Sequence, residues 1–211
     1  MDAPSLQLAA LLCSRLCHDL ISPIGAIVNG TEVIRDEADA EMRDTALTLI
    51  EASANQASAR LQYARLAFGA AGSAGSEIDL EEARDLVANM MAKGKAELDW
   101  QIGPGLAPKD TVKLLLNLVL IAVDCIPRGG RLTVAGATGS GGELSVVAAG
   151  PKARLGTDIR EALSGAVPLD ALESRQIQPA FTGFIAQALG AKVTWHEGEE
   201  RVALGAGLKA A

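Results

Sequence analysis

The sequence predicts an α + α/β chain, in which a long two-helix hairpin precedes an α/β sandwich. Three observations lead there. Apolar residues recur with a heptad period through residues 1–69. A glycine, alanine and serine segment, GAAGSAGS at 69–76, then interrupts the pattern. Beyond it, short alternating apolar stretches interleave with helical ones, as expected for helices layered on a mixed sheet. The predicted division is a helical unit at 1–70 and an α/β unit at 77–211.

The first helix is read from Leu6, Cys13, Leu20, Ile27 and Ile34, spaced by seven, with Leu16 and Ile24 broadening the stripe. The second repeats the pattern at Leu47, Ala54, Leu61 and Phe68, with Ile50, Ala57 and Ala64 between. The charged link RDEADAEMRD is short, so the two helices should run antiparallel, each roughly 45 Å long at the α-helical rise. One hairpin buries only one face of each helix. Pairing two copies into a four-helix bundle closes the core, so a homodimer is expected. The alternative is that the rest of the chain covers the hairpin.

After the break, DLEEARDLVANMMAKG reads as a helix with Gly94 beyond its end. AELDWQIG reads as a strand, and PKDTVKLLLNLVLIAVDCI as a largely buried helix starting at or near Pro108. RLTVAGA and ELSVVAAG are strands joined by the hairpin signal TGSGG. PAFTGFIAQALG is a helix closing on Gly190, and AKVTWHEG with RVALGAG forms a last hairpin. Trp100 and Trp195 are expected to be packing residues of this unit.

Composition narrows the function. The net charge is −7, which repels phosphate backbones and argues against nucleic acid as a partner. Cys13, Cys17 and Cys125 are odd in number and sit in apolar stretches, which predicts buried free thiols in a reducing compartment. The N-terminus lacks the basic start of a signal peptide. The run LLLNLVLIAVDCI contains Asn117 and Asp124 and is too short to span a bilayer. A cytoplasmic protein with no membrane partner is expected.

His18 and His196 are the two histidines. At 100° per residue, His18 lies roughly 140° from Cys13 and 160° from Leu20, pointing away from the bundle seam. Ser14, Arg15, Ile21, Ser22 and Gly25 are its helical neighbours, a small and polar face that another protein can approach. Geometry alone would make His18 an ordinary surface histidine. The local string His18-Asp19-Leu20-Ile21-Ser22-Pro23-Ile24, however, resembles the H-box of histidine kinases. That resemblance implies a phosphorylated histidine on a hairpin that dimerises into a four-helix bundle. Neutral imidazole is a nucleophile near pH 7, and Pro23 removes a backbone donor and should bend the helix after His18. Arg15 has two readings, a contact to phosphoryl oxygens or an acidic partner, and an ordinary surface arginine. Asp19 likewise is either an orienting group for the imidazole or a plain helix carboxylate. His196 lies at a strand end among acids and reads as a surface residue.

The second unit resembles the ATP-binding domain of histidine kinases, with Bergerat-type topology. Asn117 matches the first asparagine of the N-box, but Ile121 stands where the second would help hold Mg²⁺, and an aliphatic side chain cannot ligate a hard cation. Ala148 stands at the adenine-binding aspartate, and Gly150-Pro151-Lys152 and Gly183 are what remains of the glycine-rich boxes. Fold without nucleotide chemistry is similar to the dimeric histidine phosphotransferases built on a kinase-like body. The resemblance implies that His18 accepts phosphoryl from the receiver domain of a hybrid kinase and passes it to the aspartate of response-regulator receivers. It also implies no cofactor on this chain, with Mg²⁺ held by the partner receiver. Ser14, Arg15, Asp19, Ile21, Ser22, Pro23 and Gly25 are the supporting and docking residues so implied. An active cytosolic histidine kinase and a non-catalytic receiver-docking adaptor stand as alternatives.

Overall fold

The computed structural model describes residues 3–36, 39–69 and 76–209. Helix α1 runs over Ala3–Asp36 and continues through Pro23; α2 runs over Ala40–Ala67. Asp39 caps α2, its side chain accepting from the Glu41 amide at 2.8 Å. The two helices pack along their length. Gly30 is buried at this contact, where an added Cβ would stand 2.6 Å from the Ile50 side chain. Six residues of the glycine-rich break, 70–75, and two of the helix link, 37–38, lie outside the described residues.

The α/β part begins with β1 (Glu77–Asp79) and α3 (Leu80–Met91), then β2 (Ala96–Trp100), β3 (Leu106–Pro108) and α4 (Lys109–Asp124). There follow β4 (Gly130–Gly136), β5 (Glu143–Ala149), α5 (Thr157–Leu163), α6 (Ile177–Ala188), β6 (Lys192–Gly198) and β7 (Arg201–Gly207). Two single 3-10 turns, Leu169–Ala171 and Ser174–Gln176, precede α6. The main sheet has the order β2-β4-β5-β7-β6, with β2 and β4 parallel and the other pairs antiparallel. Its buried face is written in alternate residues: Leu132 and Val134 on β4, Leu144, Val146 and Ala148 on β5, Val202, Leu204 and Ala206 on β7. Helices α3, α4 and α6 cover that face. α4 is buried nearly all round because it lies between the sheet and the hairpin.

The elements expected from pattern are present, and three more are added. β1 and β3 pair antiparallel in a small separate sheet, and α5 occupies the connection after β5. Each is short, three residues for β1 and β3 and seven for α5, too short to carry a period. α6 starts at Ile177, so Pro179 sits in its first turn, where a missing N–H costs no helical bond. Trp100 and Trp195 are half-buried against the core.

The hairpin is covered on one side by the rest of the chain and open on another. Tyr63, Leu66 and Ala67, at the end of α2, belong to the same core as α4 and the sheet. The Tyr63 hydroxyl donates to the Leu116 carbonyl at 2.7 Å. The Asn117 amide donates to Ala67 O at 2.8 Å and Lys113 O at 2.9 Å, while Gln178 on α6 donates to Asn117 O at 2.9 Å. This buried polar chain ties α2, α4 and α6 together, each donor satisfied, as burial demands. Asn117, Ile121 and Ala148 are therefore core residues. On the open side, Leu6, Ile24, Val28, Leu47 and Leu61 are exposed, as are Cys13 and Cys17. The expectation of buried thiols thus holds for Cys125 alone; the other two lie on the stripe that a single chain leaves uncovered. Burial and the nearby Asp124 and Glu197 carboxylates push the Cys125 thiol up to about 12. Residues Leu6–Asp36 are long and apolar enough, by length and composition, to cross a membrane.

Candidate phosphotransfer site

The buried Pro23 and Gly30, seven residues apart, mark the side of α1 that meets α2, and the opposite side of α1 turns outward. His18 follows from that register: its side chain is 85% exposed. Its Nδ1 lies 3.5 Å from Asp19 Oδ1, leaving Nε2 as the free ring nitrogen. Asp19 uses its other oxygen for Arg15, whose Nε stands 3.0 Å from Oδ2, one helical turn earlier. Arg60 on α2 donates to the Asp19 backbone carbonyl, pinning α1 to α2 beside the histidine.

Arg15 also faces the α/β part. Its terminal nitrogen is 4.0 Å from Asp124 Oδ2, at the end of α4. Arg15 and Asp124 both line two clefts, each about 560 Å³. One lies between the hairpin and the loop after α3, with Asp19, Arg60, Tyr63 and Lys93 on its walls. The other opens between α4, α5 and the start of α6, with Arg154, Asp158 and Arg175 on its walls. The surrounding cleft walls raise the Asp124 carboxyl above its ordinary value; Arg15 opposes that shift and Asp19 adds to it. Asp124 nevertheless meets water, its side chain being 71% exposed.

Ser14, Ile21 and Ser22 are exposed around His18, and a Cβ on Gly25 would meet nothing within 4 Å. Pro23 does not join them. It is buried, one heptad before the buried Gly30 and so on the side of α1 that meets α2, which removes it from any docking face. Arg15 is not an ordinary surface arginine either, since its side chain is only 21% exposed and lies between two carboxylates. His196 is exposed on β6, opposite Ala203 of β7. Sequence reasoning missed Asp124 and Tyr63. Both carried a faint signal: a lone acid ending an apolar helix, and the chain's single tyrosine within an alanine-rich turn. Among the described residues, no group of three His, Cys, Asp or Glu side chains is placed to hold a metal ion.

The chain thus sets an exposed histidine beside a carboxylate, on a helical hairpin docked to a five-stranded α/β body. Residues 80–201 match the family model described as the histidine phosphotransferase C-terminal domain, and the chain belongs to the histidine phosphotransferases of two-component phosphorelays. It is similar to the protein phosphotransferase ChpT of Brucella abortus (strain 2308), at 41% identity over 203 residues and 96% of each chain. It is also similar to a solved structure of a bacterial phosphotransferase, at a TM-score of 0.85 and 40% identity, over 98% of this chain and 97% of that one.

Proposed function

We propose that His18 is the phosphoryl carrier, taking the group from the receiver domain of a hybrid histidine kinase and giving it to the aspartate of response-regulator receivers. The carrying observation is the His18 imidazole, outward on α1 with Nδ1 at Asp19 and Nε2 free. In the accepting step the Nε2 lone pair attacks phosphorus. The P–O bond to the receiver aspartate breaks, and its electron pair stays on that carboxylate. Nδ1 keeps its proton, so the ring becomes cationic and Asp19 lies beside the new charge. The step is positioning and charge stabilisation, which a carboxylate on the same helix supplies. Mg²⁺ belongs to the receiver in this reading, and Ser14, Ile21, Ser22 and Gly25 form the surface on which it docks.

The working unit is a cytoplasmic homodimer in this reading. Leu6, Cys13, Ile24, Leu47 and Leu61 form the open half of the heptad seam, and a second copy would cover it. That also accounts for the apolar length of α1 without a bilayer, since Arg15, His18 and Asp19 interrupt it. Residues 1–70 serve as the transfer and dimerisation unit, and 77–211 as its support.

The test is phosphoryl transfer from a phosphorylated receiver domain to the purified protein. His18→Ala should abolish labelling, His196→Ala should leave it unchanged, and the wild-type label should be acid-labile and alkali-stable. Label persisting on His18→Ala would assign the chemistry to another residue.

A further inference from the structure

We propose that Asp124 is a positioning residue for phosphoryl transfer, acting on His18 through Arg15 and Asp19. The inference rests on His18 being the acceptor. Four side chains form one connected row: Asp124 Oδ2 to Arg15 at 4.0 Å, Arg15 Nε to Asp19 Oδ2 at 3.0 Å, and Asp19 Oδ1 to His18 Nδ1 at 3.5 Å. The first belongs to α4 of the α/β part and the other three to α1. The row is the physical route by which the α/β part reaches the nucleophile.

Two effects follow from the arrangement. The first is orientation. With Arg15 holding Oδ2, Asp19 can present Oδ1 to the imidazole, which favours the Nδ1–H tautomer and leaves the lone pair on Nε2. Asp124 keeps the guanidinium on that side of α1, where alone it could swing into solvent. The second is charge. Two carboxylates face one guanidinium, so the row retains a net negative charge toward a ring that turns cationic as the N–P bond forms. Removing Asp124 would leave Arg15 to neutralise Asp19. Other ionisable groups near the row are Arg60 on α2, bound to the Asp19 carbonyl, and Lys93 and Lys95 after α3, on the cleft wall.

Phosphoramidate tests this without a receiver: attack by Nε2 breaks its N–P bond and ammonia leaves. Asp124→Asn keeps the size and removes the charge at a solvent-open position, and circular dichroism checks that the fold is kept. Its His18 phosphorylation rate should fall roughly three- to thirtyfold, the size of coupling within one ion-pair network. Long-range ¹H–¹⁵N spectra should show the His18 ring leaving the Nδ1–H form. Asp124→Glu, which keeps the charge, should recover most of the rate. In an Asp19→Asn background, Asp124→Asn should add no further loss. An unchanged phosphoramidate rate and tautomer overturns the proposal, as does an additive double variant. A defect seen only with a receiver as donor makes Asp124 a docking contact and overturns it too. His18→Ala runs alongside: label surviving there means the acceptor was misassigned, while the tautomer measurement still reports on the row.

Discussion

Tyr63→Phe removes one hydroxyl from the joint between hairpin and α/β part. The ring stays in place, 2% exposed, and only the 2.7 Å bond to the Leu116 carbonyl is lost. At pH 7 the loss should be about 1 kcal/mol, the usual net value of a neutral hydrogen bond. Alkaline pH should reverse the order. Burial raises the Tyr63 phenol well above its ordinary value of 10.0, so the folded chain keeps a proton that the unfolded chain gives up. That advantage of the protonated fold is complete below pH 10 and drains away as pH rises toward the folded pKa, at about 1.4 kcal/mol per unit. Phenylalanine has no such proton. Wild type and variant should therefore reach equal stability near pH 10.7, where the loss per unit has offset about 1 kcal/mol. Urea unfolding followed by circular dichroism at several pH values measures the difference, and lysine and cysteine titrations cancel between the two proteins. Tyr63 is the only tyrosine, so phenolate absorbance reports on it alone. Ionisation at an ordinary midpoint with the dichroism intact would refute the enclosure. A variant that tracks wild type at every pH would refute the energetic argument.

Two further outcomes test the hairpin surfaces. Leu61→Asp places a charge on the open apolar stripe, where the leucine is 47% exposed in one chain, and should convert a dimer to a monomer by light scattering. A dimer of unchanged affinity would move the interface elsewhere. Gly25→Arg fits the helix without a clash, so it should leave melting and dimerisation intact and reduce receiver-dependent labelling of His18 by about tenfold or more, as bulk in an interface centre does. Labelling at the wild-type rate would place the docking face away from Gly25.

The parts legible in the sequence were those governed by local period. Seven-residue spacing of Leu6, Cys13, Leu20, Ile27 and Ile34 is enough to raise a helix and to turn His18 away from its apolar stripe, although Leu6 and Cys13 at one end of that stripe lie on the side a single chain leaves open. Period-two stretches at Leu144, Val146 and Ala148 are enough to raise a strand with one buried face. These are properties of residues within a turn or two of each other, so a linear reading reaches them. Pro23 shows where that reading fails even locally: its place in the motif string suggested a docking role, but the helical register turns it inward. Asp124 and Tyr63 are a different matter. Whether Asp124 meets Arg15, and whether Tyr63 enters the core, depends on how α1 and α2 lie against α4, and no short stretch of chain encodes that. It is set by the joint packing of Tyr63, Leu66 and Ala67 with α4 and by the Asn117 and Gln178 hydrogen bonds that lock it. Packing of this kind sums contacts between distant segments, which is why the outward His18 could be singled out from the sequence and the Asp124 carboxylate behind Arg15 could be read only from the tertiary structure.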